Sequence, residues 1–193
     1  LNHQSYTVAE IWDDAHQFLV DGRFSATMNY HAFAFPVKGF LIDGRLSARD
    51  FAQQLRARRQ PFPPAMRYVL QNLIDSHDTP RLASMIVNRP EGPYLEAHRF
   101  DYDVGGRDYP RHWDQYDVSG PTEEDRKIQR LVALLQMTYV GAPMIYYGTE
   151  AGMWGGDDPC DRMPMVWPDL DYATQKADPL GRPREPDPVA FNG

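Results

Sequence analysis

Glu10 stands in AEIWDDA (residues 9–15), directly after a short apolar run, and His77 and Asp78 stand in LIDSHDTPR (73–81), directly after another. Two carboxylates brought to one rim suit the cleavage of a glycosidic bond. One acid protonates the departing oxygen, and another attacks the anomeric carbon or holds the positive charge that develops there. Glu10 is the candidate acid, because Ile11 and Trp12 beside it could take its carboxyl out of water, the setting in which such a group keeps its proton. Plainer alternatives stay open on position alone. A single Glu after a strand is commonly a solvated loop residue, and a histidine in such a turn commonly does no more than cap it.

Residues of this kind need elements that deliver them to a common rim. Residues 5–9 (SYTVA) read as a strand, and 15–20 as a short helix closed by Asp21-Gly22. Phe24 to Tyr30 reads as a second strand. Ser47 fits the N-cap of a helix that begins near Ala48 and turns Phe51, Ala52 and Leu55 inward; PFPP at 61–64 ends it. Tyr68 to Ile74 is near-continuously apolar, as a strand covered on both faces would be. Thr79 and Pro80 fit the N-cap and first position of a helix running to about Arg89. Residues 90–121 show no period and read as a long loop, of the length that usually serves function. Thr122, with Asp125 three residues on, caps the clearest helix. Its expected inner stripe is Ile128, Leu131, Val132, Leu135 and Tyr139. Gly141 and Pro143 stop it, and Pro143 to Tyr147 reads as a fourth strand. The tail from Pro168 is rich in Pro and Asp and reads as irregular. Alternation of strand and helix implies an α/β chain with a parallel sheet and helices outside. In a (β/α)8 barrel the acids and aromatics that follow each strand would share the C-terminal rim: Glu10 and Trp12, Asn29 and Tyr30, His77 and Asp78, Tyr147 and Glu150.

Composition narrows the partners. The 193 residues suit one domain, and 42% apolar content supplies a core. A net charge of −7 lacks the basic footprint of a nucleic-acid binder; Arg56, Arg58, Arg59 and Arg67 are spaced like a solvated helix face. Aromatic content of 12% with 17 prolines fits either long loops and a sugar-stacking surface or an aromatic-rich core. No apolar run is long enough to cross a membrane. No secretory signal opens the chain, and the single Cys160 excludes an internal disulfide; neither fixes a compartment. DYDVGGRD (101–108) carries the first acids of a calcium loop, but Gly105 and His112 stand where later ligands belong. No other metal or cofactor signature is present, so neither a metal nor a cofactor is expected, and Cys160 reads as a structural thiol.

Taken together, AEIWDDA, LIDSHDTPR and GAPMIYYGTEAGMWGGDDPCDRMPM (141–165) resemble, in order and spacing, the α-amylase family of glycoside hydrolases, and within it the neopullulanase and cyclomaltodextrinase group. The resemblance covers residues 5 to about 170. It implies strands five to eight of a (β/α)8 TIM barrel, that is, its C-terminal part. It implies that Glu10 is the general acid/base, and that Asp78 and His77 bind the sugar and stabilise its distorted, oxocarbenium-like state. It further implies that Trp12 stacks on the acceptor-side glucose, and that Asp158 and Arg162 contact donor-side sugars. The substrate implied is an α-glucan oligosaccharide or a cyclodextrin. The family's nucleophile is an aspartate in G-x-R-x-D on the fourth strand. Neither DGRLSARD (43–50) nor GGRD (105–108) has that spacing, so the attacking aspartate is expected upstream of residue 1. The chain is then expected to be a partial catalytic domain that self-associates through its open sheet edges. Transglycosylation or isomerisation at the same site, and glucan binding without cleavage, are the alternatives.

Overall fold

The computed structural model describes residues 2, 5–89 and 115–187. Most of the loop expected at 90–121, and DYDVGGRD within it, lie outside the described residues. The chain gathers into two compact units, residues 1–74 with 131–144 and residues 75–130 with 145–193.

The first unit holds the parallel strands. β1 (Val8–Ala9) pairs with β2 (Ala26–Thr27), and β3 (Gln71–Asn72) pairs with β4 (Ala142–Pro143), both in parallel. A parallel bridge from Met28 to Gln71 joins the two pairs, so the strands run in the order β1-β2-β3-β4. The described residues form no closed barrel. Each strand is only two residues long, shorter than its apolar run suggests. The second run stops early because the backbone turns helical at Tyr30. Wide π-type turns at Tyr30–Ala34 and Lys38–Ile42 flank one α turn, α2 (Phe35–Val37). The fourth strand likewise begins one residue before its expected start and stops at Pro143.

Between β1 and β2 lies α1 (His16–Val20), closed by Gly22 at φ 70°. Ala15, Leu19, Ala32, Phe62 and Leu70 form a buried cluster, with Ile11, Phe24 and Met66 packed against it. α3 (Ala48–Arg59) starts as the sequence indicates: the Asp50 N–H donates to Ser47 Oγ at 3.1 Å.

α5 (Glu123–Thr138) also has the expected start. Thr122 Oγ accepts from the Asp125 N–H at 3.2 Å, and Asp125 Oδ2 accepts from the Thr122 N–H at 2.9 Å, a reciprocal capping box. Its inner face keeps Val132 wholly buried and Ile128, Leu135 and Tyr139 half-buried as expected, but Leu131 is exposed and polar side chains share the face. Asp125, Gln129, Val132 and Gln136 are buried, whereas Leu131, Leu134 and Met137 are exposed. The reason is hydrogen bonding. Gln136 Nε2 donates to the Asn72 carbonyl at 2.9 Å and the Met144 carbonyl at 2.8 Å. Asn72 itself accepts from Asn29 at 2.9 Å and donates to the Val140 carbonyl at 3.0 Å. A satisfied amide network is thereby laid against β3 and β4, where buried polar groups are tolerated because each has partners. Gly141, at φ 133°, fits because a Cβ there would run into the Asn72 amide.

The second unit holds α4 (Leu82–Val87), with Leu82, Ala83, Met85 and Ile86 buried. Its cap differs from expectation. Thr79 does not cap it; Asp75, seven residues before Leu82, accepts the Leu82 N–H at 2.8 Å. The tail is not wholly irregular either. β5 (Gln175–Ala177) pairs antiparallel with β6 (Pro183–Asp187). Asp178 builds the turn between them, accepting from the N–H groups of Leu180 and Arg182 at 3.0 and 2.8 Å, with Gly181 at φ 79°. Among the described residues no helix is long and apolar enough to cross a membrane.

Candidate active site

In the first unit, Glu10 directly follows β1 and is exposed. Ile11 and Trp12 therefore do not enclose its carboxyl as their position suggested. Trp12 instead lies flat on Tyr30, with ring centroids 4.0 Å apart and planes 6° from parallel. Tyr30 is wholly buried, so the stack ties the half-buried indole to the interior and fixes its orientation.

In the second unit, short hydrogen bonds fold residues 75–79 into a tight turn. The Ser76 N–H donates to Thr79 Oγ1 at 2.8 Å, and the Asp78 N–H donates to Ser76 Oγ at 3.1 Å. Asp75 anchors the turn from inside. Its Oδ2 accepts from both the Leu82 N–H and the Thr149 hydroxyl, the latter at 2.6 Å. Burial pushes the Asp75 carboxyl above the ordinary range, against the pull of those two hydrogen bonds. His77 and Asp78 are left facing outward, with side chains 52% and 44% exposed and 3.4 Å between His77 Nε2 and Asp78 Oδ2.

Arg162 completes this group from the one-turn 3-10 segment Cys160–Arg162. Its Nη2 donates to Asp78 Oδ1 at 2.9 Å, its Nε donates to the His77 carbonyl at 2.8 Å, and Asp158 Oδ1 stands 3.4 Å from Nε. His77, Asp78, Asp158 and Arg162 are thus one connected polar group. Each exposed pair contributes only about 0–1 kcal/mol to stability; what the group fixes is the direction of the Asp78 carboxylate.

Two features here were not read from the sequence. The Arg81 side chain is wholly buried, with its guanidinium over the rings of Tyr146 and Tyr147 at 4.7 and 4.8 Å and Nη1 donating to the Tyr147 carbonyl at 2.5 Å. Its backbone N–H donates to the Gly155 carbonyl at 3.0 Å. The arginine of LIDSHDTPR thus pins the 146–155 loop to the His77–Asp78 turn. Gly155 is required there, since a Cβ would overlap the Cys160 carbonyl. The adjacent YY pair was the available signal, because a buried guanidinium seeks aromatic faces. The second feature is Asp161, wholly buried on the turn that carries Arg162. Burial first, and then the neighbouring Asp157, pushes its carboxyl up to about 7. Cys160 is buried, and its thiol is pushed up to about 12 by burial and by Asp178 and Asp161, as suits an inert structural thiol. An apolar cavity of about 250 Å³ lies in the same unit, lined by Met153, Trp154, Met163, Val166 and Tyr172 among others.

No family model matches the chain. Over 167 residues it is 35% identical to neopullulanase 2 of Thermoactinomyces vulgaris, and over 162 residues 35% identical to a cyclomaltodextrinase of Geobacillus thermopakistaniensis. These alignments cover 86% and 84% of this chain but only 22% and 21% of the relatives' length. Among solved structures it is similar to the cyclic α-maltosyl-(1→6)-maltose hydrolase of Arthrobacter globiformis in complex with its cyclic substrate. The TM-score is 0.62 at 27% identity, over 86% of this chain and 29% of that one. Such neighbours are TIM-barrel enzymes of which this chain matches a part. In sequence and in fold, the chain is a homologue of the neopullulanase and cyclomaltodextrinase enzymes of the α-amylase family.

Proposed function

We propose that this chain contributes part of the catalytic domain of a retaining α-glucan hydrolase, as strands five to eight of its barrel. The observation that carries the proposal is the 35% identity to neopullulanase 2 over 167 residues, 86% of this chain. The outward-facing Asp78, held by Arg162 at 2.9 Å, supports it. Glu10 protonates the leaving oxygen and then activates water. Asp78 and His77 bind the sugar more strongly as it distorts toward the oxocarbenium-like state, which is where binding accelerates reaction. The attacking aspartate comes from outside these 193 residues. Trp12 offers an indole face to the acceptor-side glucose. Asp158 and Arg162 meet donor-side sugars. The substrates are α-glucan oligosaccharides or cyclodextrins, and the chain by itself is inactive and self-associates.

The test is Glu10→Gln in the enzyme that carries these residues. Turnover on maltotriose falls at least ~100-fold, the scale of losing a general acid, and an aryl glycoside with a good leaving group loses less in its first step. Near-normal maltotriose hydrolysis would refute the assignment. The 193-residue chain alone shows no hydrolysis of maltotriose or a cyclodextrin; a monodisperse monomer that cleaves either overturns the placement of the nucleophile outside it.

A further inference from the structure

Arg162 Nε is a shared donor. It is bonded to the His77 carbonyl at 2.8 Å and lies 3.4 Å from Asp158 Oδ1 and 3.9 Å from Asp161 Oδ1. Asp161 is the unusual neighbour. Its side chain is 0% exposed, and neither carboxylate oxygen has a hydrogen-bond partner among the described residues. The charged and titratable groups that face it are Asp157, Arg162 and Arg81, with Tyr146 and Cys160 alongside. Asp157 is itself buried, so an ionised Asp161 meets a second buried acid on one side and the Arg162 guanidinium on the other.

We propose that Asp161 is a positioning residue whose charge state sets how firmly Arg162 holds the His77–Asp78 turn. When Asp161 is neutral, Arg162 has no reason to leave Asp78 and the His77 carbonyl. When Asp161 ionises, its buried carboxylate competes for Nε, and its repulsion of Asp157 loosens the Cys160–Arg162 segment. One proton leaves Asp161 to solvent in this change, and no covalent bond is altered. The change falls near neutrality, since burial holds this carboxyl at about 7. Asp78 is therefore firmly oriented on the acid side of neutrality and less so on the alkaline side.

The device does not depend on the chain's being a hydrolase, because Asp78 can be observed directly. Carbon-13 carboxyl NMR of the labelled full-length protein that carries these residues is recorded from pH 5 to 9, with the Asp161 and Asp78 signals assigned through Asp161→Asn and Asp78→Asn. Asp161 should titrate with a midpoint near 7, and the Asp78 signal should carry a step at the same midpoint that vanishes in Asp161→Asn. A histidine titrates in this range too, so the step must persist in His77→Gln. Titration of Asp161 below pH 5 overturns the proposal. So does an Asp78 signal that ignores the Asp161 midpoint, or a step that disappears with His77. Should Asp161→Asn fail to fold, the wild-type and His77→Gln titrations decide alone. In the intact enzyme, Asp161→Asn would flatten the alkaline limb of the activity profile. That consequence rests on the proposed hydrolysis, whereas the NMR result does not.

Discussion

Removing the charge of Asp161 should make the protein less sensitive to alkaline pH, and the size of the effect follows from its burial. An ordinary Asp side chain titrates at 3.8; in the folded chain this one is pushed up to about 7, burial being the larger cause and Asp157 the next. Between those two values the folded state binds the proton and the unfolded state does not. Stability from this group is therefore full below 3.8 and declines as pH rises through 7. A difference of roughly three units at 1.36 kcal/mol each amounts to about 4 kcal/mol, an upper figure because the turn can relax around the charge. Asn is neutral throughout and has nearly the shape of the protonated acid, so Asp161→Asn should match the wild type near pH 4 and exceed it by up to ~4 kcal/mol near pH 8. In a domain of this size that is a melting-temperature gain of roughly 8–16 °C. Urea unfolding of both proteins at pH 4.5, 6, 7 and 8 checks it. Asp75, also pushed up by burial, is present in both and cancels. Parallel stability curves for the two proteins would refute the reasoning, since they would mean that Asp161 is already ionised at low pH or is solvated in the folded state.

Replacing Asp75 with Ala leaves the Leu82 N–H and the Thr149 hydroxyl without their acceptor; a loss of about 2–4 kcal/mol in urea unfolding is expected, and Asn, which keeps one acceptor oxygen, should recover part of it. Thr122→Ala removes one half of the α5 capping box and should lower stability by about 1 kcal/mol with little change in urea m-value. Gly141→Ala drives a Cβ into the Asn72 amide at a backbone conformation that L residues rarely adopt, so a drop in melting temperature well beyond that of a surface substitution is expected. Native Cys160, with its thiol pushed up to about 12, should resist a thiol reagent at pH 8 until denaturant is added.

What could be read in advance, and what could not, divides by how far apart in sequence the partners lie. Ser47 and Thr122 were legible as caps because each acts on an N–H three residues away. Thr79 looked like the same device, but its hydroxyl turns back to the Ser76 N–H, and the α4 cap comes from Asp75; a carboxylate reaching over a turn leaves no local spacing to read. α5 was legible only in part. Its apolar period at Ile128, Leu131 and Leu135 is real, but Gln136 is buried by partners at Asn72 and Met144, and no window along the helix contains both. The polar group around Asp78 falls between these cases. Its members stand in two motifs, LIDSHDTPR and the stretch holding Asp158 and Arg162, and their order named them together; but the bond from Arg162 to Asp78 spans 84 residues. Asp161 stayed invisible because it sits beside Arg162 in sequence and reads as one more surface acid. Only the fold shows that two acids in DDPCDR, Asp157 and Asp161, face inward while Arg162 faces out, and that division lets a buried proton act on the outward-facing site.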